Sequence, residues 1–168
     1  MMIETARLRL RPFRPDDMAR IVAGLNDWAV AQWLARTPFP YAPADGAAWL
    51  AEAAAAHAAG RFAIADKASD RLLGGIGIEP ADDDRELGYW LGRAHWGRGL
   101  TSEAVAAIVA HAFDALGVRR LHATTDPDNA ASRRVLIKAG FRWIRDVEAD
   151  PPTRRGNHFR PFFERLVD

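Results

Sequence analysis

A chain of 168 residues, 49% of them hydrophobic, has the length of one domain and enough apolar material for a single core. Its 23 basic residues stand against 22 acidic ones, a net charge of +1, which argues against binding nucleic acid or a membrane surface through bulk charge. There is no cysteine, so a disulfide framework, a thiolate metal site and catalysis through an enzyme thiol are excluded, and any thiol in the chemistry belongs to a ligand. The N-terminus lacks a basic stretch followed by an apolar core, and no apolar run approaches the roughly 20 residues that span a bilayer, so a cytoplasmic protein is the expectation.

Residues 5 to 13, Thr-Ala-Arg-Leu-Arg-Leu-Arg-Pro-Phe, alternate basic with apolar side chains and predict a half-buried first strand. Pro15-Asp16-Asp17 suits the first turn of a helix that carries Met18, Ile21, Val22 and Leu25 on one face. A second short helix is predicted from Trp28 to Leu34, ending before a Pro38-Phe39-Pro40-Tyr41 loop, and Pro43-Ala44-Asp45 opens an alanine-rich helix to about Gly60. The period then becomes two. Phe62 to Ala65 is a strand, Asp66 to Asp70 a turn, and Leu72 to Ile78 a second strand ending at Glu79-Pro80. Glycines at 74, 75 and 77 mark a bulge or a close backbone approach within it. Asp82-Asp83-Asp84 reads as a solvated turn ahead of an aromatic strand from Glu86 to Leu91.

Behind that strand, Trp96-Gly97-Arg98-Gly99-Leu100-Thr101-Ser102 precedes a segment whose apolar residues Val105, Ile108, Val109, Ala112, Phe113 and Leu116 recur at helical spacing. The first-turn N–H groups of such a helix lack partners within it and lie at the positive end of its dipole, and Gly97 and Gly99 let a ligand approach the main chain. Such a loop suits a phosphate, although a plain helix cap accounts for the same residues. The Lys of the nucleotide loop Gly-x4-Gly-Lys-Ser/Thr is missing, and Ser102 stands where the third glycine of Gly-x-Gly-x-x-Gly belongs, so both of those patterns drop out. A strand from Arg119 to Thr125 leads to a helix capped by Asn129 and ended by Gly140, with Val135, Leu136 and Ile137 apolar. Two last strands, Phe141 to Val147 and Phe159 to Leu166, flank a connection bearing Arg154, Arg155 and Arg160.

Trp96-Gly-Arg-Gly99-Leu-Thr101 resembles the acetyl-CoA loop of the GCN5-related N-acetyltransferases, Gln/Arg-x-x-Gly-x-Gly/Ala, and departs from it at Trp96 and Thr101. Trp in the first position, the run Gly88-Tyr89-Trp90-Leu91 and the opening Glu4-Thr-Ala-Arg-Leu-Arg-Leu-Arg11 are similar to the family's ribosomal-protein-alanine N-acetyltransferase branch. Asn129-x-x-Ser132-x5-Lys138-x-Gly140-Phe141 matches the spacing that the family carries after its fifth strand.

The resemblance implies one α/β domain over residues 1–168. Its mixed, mostly antiparallel sheet of about seven strands would have helices on both faces and be splayed at the fourth and fifth strands to admit acetyl-CoA as acyl donor. The implied activity is acetyl-CoA-dependent transfer to a primary amine by direct attack, without a metal. The donor would lie against Tyr89, Trp90, Leu91, Trp96, Gly97, Arg98, Gly99, Leu100, Thr101, Ser102, Asn129 and Ser132.

An amine protonated at neutral pH needs a base, and Glu86 holds the position of the family's glutamate base, with Glu79 as competitor. A backbone N–H at about Leu91 would stabilise the oxygen anion. The tyrosine that many members place seven residues after the asparagine is Leu136 here, so Ser132 inherits by position the role of donor to the leaving thiolate. The helices before residue 60 line the acceptor side in the family, where Trp28, Trp33, Phe39 and Tyr41 are expected as core or as substrate contacts. Arg154, Arg155 and Arg160 would make a positive entrance that favours acidic acceptors. The acceptor is a protein or peptide N-terminal amine or, alternatively, a small-molecule amine such as an amino acid, polyamine or aminoglycoside. A non-catalytic acyl-CoA sensor is the reading from another class. No nucleic-acid or membrane partner is implied, and monomer and homodimer are both compatible.

Overall fold

The computed structural model describes residues 2–56, 60–81 and 84–167. Its strands are β1 (Ile3–Glu4), β2 (Leu8–Arg11), β3 (Arg61–Asp66), β4 (Leu72–Ala81), β5 (Asp84–Leu91), β6 (Arg120–Thr124), β7 (Arg142–Glu148) and β8 (Phe159–Leu166). Helices α1 (Met18–Leu25), α2 (Trp28–Ala31), α3 (Pro43–Ala56), α4 (Leu100–Asp114) and α5 (Ala130–Lys138) connect them, with short 3-10 turns at Pro15–Asp17 and Arg93–His95. The strands form one sheet in the order β1-β2-β3-β4-β5-β6-β8-β7, antiparallel at every step except β5 to β6.

This is the mixed α/β architecture expected, with eight strands rather than about seven. The additional strand, Ile3–Glu4, lies ahead of the predicted 5–13 strand, of which Leu8–Arg11 is strand. Leu8 N donates to Thr5 Oγ1 at 2.9 Å, closing a turn that folds Ile3–Glu4 back against Arg9 and Leu10. The wedge accordingly falls between the fifth and sixth strands. The first predicted helix begins as the Pro15–Asp17 turn, and the second stops at Ala31. The far end of the alanine-rich helix and the turn at Asp82 and Asp83 lie outside the described residues.

Side chains alternate across the sheet, so each face has its own core. Leu8, Leu10, Phe62, Ile64, Ile76, Ile78, Leu87 and Leu91 bury against Val105, Ile108, Val109 and Ala112 of α4 and Leu136 of α5. Phe13, Ala63 and Leu72 take the other face, with Ile21 and Leu25 of α1, Tyr41, and Ala53 of α3. β5 pairs with β4 along its whole length, but with β6 only at Arg85–Leu121 and Glu86–His122. Beyond Glu86 the two strands part.

Arg11 is a charged side chain held inside this frame, 1% exposed. Its guanidinium forks onto Asp17 at 2.8 and 2.9 Å and donates to Pro12 O at 2.9 Å and Asp70 O at 3.0 Å. Asp17 also accepts from Arg14 N at 2.9 Å, which docks the start of α1 on β2. A buried ion pair is tolerated when its donors and acceptors are matched, and removing one partner leaves the other charge uncompensated. Arg11→Ala is therefore expected to cost about 3–5 kcal/mol, read as a lowered urea midpoint at unchanged slope. Arg9→Ala, whose two pairs with Glu4 and Asp70 are partly exposed and solvent-screened, should move the midpoint far less.

Candidate active site

The site is built on the chain that leaves β5. Gly92 N donates to Leu73 O at 2.8 Å, and the following turn delivers the segment 96–99 to the start of α4. Gly97 and Gly99 take φ of +72° and +73°, a region that strains any residue with a Cβ. Among the described residues nothing lies within 4 Å of a Cβ built on Gly97, and one on Gly99 meets Arg7 Nη2 at 3.7 Å. Backbone conformation, not crowding, thus calls for glycine here. Gly99 is the N-cap of α4 and no side chain caps it, so the first-turn amides are left for a ligand.

Two braces hold this loop. Trp96 Nε1 donates to Leu91 O at 2.7 Å, tying the loop to the end of β5. From the opposite side, Arg7 donates to Glu103 Oε2 at 2.7 Å and to Arg98 O at 2.9 Å, while Glu103 Oε1 accepts from the Thr5 hydroxyl at 2.6 Å and Arg7 N at 2.8 Å. Burial pushes the Glu103 carboxyl up, but the Thr5 and Arg7 hydrogen bonds together outweigh it and leave it below its ordinary value.

A cavity of about 590 Å³ opens along the loop. It brings together Tyr89, Trp90 and Leu91 of β5, Trp96, Gly97, Gly99, Leu100, Thr101, Ser102, Asn129 and Ser132, which is every residue expected against the donor except Arg98. Arg98 turns instead to a basic basin across the loop. Asn129 Oδ1 accepts from Ser132 N at 3.1 Å and caps α5, as its position predicts. Ser132 Oγ lies 2.8 Å from Tyr89 Oη, a contact between residues far apart in the chain that no local pattern signals. Burial pushes the Tyr89 hydroxyl up to about 12, against a smaller downward pull from the Ser132 bond, so it stays protonated at neutral pH.

A second cavity, about 580 Å³, shares Leu34, Tyr89 and Trp90 with the first. Phe13, Tyr41 and Trp49 give it an aromatic side, and Asp45, Glu52, Arg61 and Glu79 a polar one. The Trp90 indole forms the partition. A Cβ on Gly24 would sit 2.7 Å from its Cζ3 and one on Gly75 2.8 Å from its Nε1, so the β4 glycine signal includes a close approach by a side chain.

Glu79 and Glu86 face each other in register across β4 and β5. Arg61 grips Glu79 through Nε and, at 3.0 Å, through Nη2. Glu86 accepts from Arg36 Nη2 at 2.7 Å, and the Arg36 side chain is 78% exposed. Glu79 and Arg36 line the second cavity, whereas Glu86, bonded to Arg36, lines neither of the two.

The other sequence candidates divide. Tyr41 is buried in the wall of the second cavity, Trp33 lines the first, and Trp28 pairs with Phe39 at 5.0 Å outside both. Arg154 and Arg155 do not form the free positive rim expected of them. Arg154 donates to Ala31 O at 2.8 Å and to Thr37 O, while Arg155 bonds Asp128 Oδ2 at 3.2 Å and Gln32 Oε1 at 2.8 Å and stacks over Trp33. The Ala31 carbonyl, which also accepts from Leu34 N, and the Thr37 carbonyl claim one guanidinium, and Asp128 and Gln32 claim the other. The 151–158 connection is thereby pinned across α2 and the start of α5.

The sequence model of the acetyltransferase (GNAT) domain matches residues 7–142. The chain belongs to the GNAT family. It is similar to an uncharacterized N-acetyltransferase, p20, of Bacillus licheniformis, at 31% identity over 86% of this chain and 85% of that protein. Over 43% of this chain and 42% of the relative it is 36% identical to a ribosomal-protein-serine acetyltransferase of Escherichia coli K12. The GNAT fold recurs in a Bacillus anthracis acetyltransferase (TM-score 0.87, 22% identity, 99% of this chain and 98% of that one). It recurs also in RimL, a ribosomal L7/L12 α-N-protein acetyltransferase solved with coenzyme A (TM-score 0.84, 19% identity, 100% and 99%).

Losing the Glu103 carboxylate strips three donors of their acceptor, so Glu103→Ala should lower stability by about 1–3 kcal/mol. Because the folded carboxyl is depressed, its contribution is complete above the ordinary carboxylate range and lost as pH falls through the lowered value. The gap between wild type and variant in a melting-temperature series is thus expected to close on the acid side.

Proposed function

We propose that this GNAT enzyme transfers the acetyl group of acetyl-CoA by direct attack of a primary amine, and that the amine is the N-terminus of a protein or peptide in the cytoplasm. The observation that carries the reading is the meeting of two cavities at Leu34, Tyr89 and Trp90, one beside a glycine-tipped helix start and the other aromatic with carboxylates. The names of the Escherichia coli relative and of RimL support a protein amine as acceptor.

Acetyl-CoA supplies an acyl thioester, a flexible arm and a pyrophosphate. The amides from Gly97 to Ser102 fit the pyrophosphate, and Tyr89, Trp90, Leu91 and Ser132 fit the arm. Leu91 lies beyond the last pairing with β6, so its N–H is assigned as donor to the acyl oxygen as that atom gains charge. Glu86 takes the proton of the incoming ammonium, directly or through water. Its partner Arg36 is solvent-screened and readily exchanged, whereas Glu79 is forked by Arg61 and less free to act. Ser132 donates to the departing sulfur, with Tyr89 directing its hydroxyl.

Four measurements test this assignment. Gly99→Val should weaken acetyl-CoA at least tenfold, about 1.4 kcal/mol, in calorimetry on folded protein; unchanged affinity would remove the loop from the donor site. Glu86→Gln should lower turnover by about 100-fold at neutral pH and recover part of it as rising pH deprotonates the amine unaided. A silent Glu86→Gln beside a crippled Glu79→Gln would move the base to Glu79. Ser132→Ala should depress kcat with little change in acetyl-CoA affinity, and Tyr89→Phe should do so to a smaller degree. A screen that follows free CoA with N-terminal peptides and amine antibiotics side by side decides the acceptor. Turnover of the antibiotics alone would overturn the protein-amine reading, and binding of acetyl-CoA without turnover of any amine would favour a sensor.

A further inference from the structure

A third cavity, about 680 Å³, lies on the other side of the 95–100 segment from the donor groove. Five cations line it, Arg7, Arg20, Lys67, Arg71 and Arg98, against a single carboxylate, Asp66. Asp66 Oδ1 is already held by Ser69 N at 2.8 Å and Ser69 Oγ at 2.7 Å. Along the same edge of the sheet carboxylates are matched to cations: Asp70 to Arg9, Arg11 and Arg14, Glu4 to Arg9 and Lys67, and Glu103 to Arg7. Arg20, Arg71 and Arg98 have neither a hydrogen bond nor a salt bridge from their side chains among the described residues.

These guanidiniums come from three separate places, α1, the turn before β4 and the loop before α4, and converge on one hollow. Like charges gathered at one place repel, the more so at low salt, and the repulsion is relieved by an anion that several planar donors can share. A phosphomonoester, with a charge near −2 and three acceptor oxygens, meets that demand better than a carboxylate. His95, on the wall between the two cavities, is held below its ordinary value by burial and then by the fields of Arg98 and Arg20, so it adds a neutral donor at neutral pH.

We propose that this basin is a phosphate site, taking a phosphomonoester between Arg20, Arg71 and Arg98. The phosphate has two chemical sources. One is the 3′-phosphate of CoA seated in the adjoining groove, because groove and basin share His95 and Leu100; this source rests on the donor reading above. The other is a free phosphorylated compound, which does not.

Calorimetry at fixed salt compares CoA with 3′-dephospho-CoA, on wild type and on Arg20→Ala/Arg71→Ala. Both positions are exposed and outside the donor groove, so the variant retains the fold and the groove. If the phosphate is that of CoA, wild type binds CoA at least tenfold more tightly than 3′-dephospho-CoA, and the double variant brings the two within about twofold by weakening CoA alone. If the ligand is free, wild type does not discriminate. Inorganic phosphate added to CoA-saturated protein then gives saturable shifts of the Arg20 and Arg71 Nε–H resonances. Equal affinity for both nucleotides together with no saturable phosphate shift overturns the proposal. Failure of the donor reading is distinct, because neither nucleotide binds and the phosphate titration of the free protein still decides the basin.

Discussion

Two residue pairs, Arg85 with Leu121 and Glu86 with His122, make up the backbone ladder between β5 and β6 among the described residues, and the candidate site opens where that ladder stops. A strand with a bare edge inside a protein must satisfy its backbone groups some other way. β5 is secured along its full length by β4, and β6 by β8, so neither strand needs the other to stay in place. Past Glu86 the ladder is replaced by specific substitutes. Leu91 O finds the Trp96 indole, and the Tyr89 hydroxyl reaches Ser132 on α5. The wedge is therefore a gap in the backbone ladder with side-chain struts, and the sheet stays paired on both sides of it.

What the sequence discloses and what it hides follow from the range of the interactions. The glycine-tipped start of α4 and the Asn129 cap of α5 are local, since φ and a contact three residues away depend on neighbours in the chain, and both are legible in advance. The early end of β5–β6 pairing is a non-local competition among strands and leaves no periodic trace. Arg98 sits in the loop motif, yet its side chain lines the basin across the loop, where its carbonyl is gripped by Arg7 from the β1–β2 turn some 90 residues earlier. Arg154 and Arg155 look like a solvated rim until the short α2 presents carbonyls and Asp128 presents a carboxylate. The two-residue β1 is too brief for any period to show, and depends on one Thr5–Leu8 turn.

The chain's preference for arginine, 21 against two lysines, has a structural use. Arg7, Arg11, Arg154 and Arg165 each donate to main-chain carbonyls, and Arg7, Arg11 and Arg154 bridge two separate acceptors at once. A planar fork holds two fixed directions, whereas an ammonium offers a point charge on a flexible stem. Guanidiniums thus act as brackets between segments remote in the chain, and one of them, Arg7, holds the loop that separates the donor groove from the basin.

The Trp96–Leu91 hydrogen bond has a geometric corollary. It joins the first residue of the helix-start loop to the last residue of β5, so the separation between loop and strand end cannot stretch or shrink while the bond holds. The loop and the end of β5 thereby stand a fixed distance apart, and in the proposed mechanism the loop is one stop and the Leu91 amide the other. A molecule anchored at the first stop presents to the second only the atom that lies at the matching distance along its own arm. On the proposed donor site, selection of a donor then becomes a measurement of reach, set by one indole side chain that fixes where two backbone segments stand.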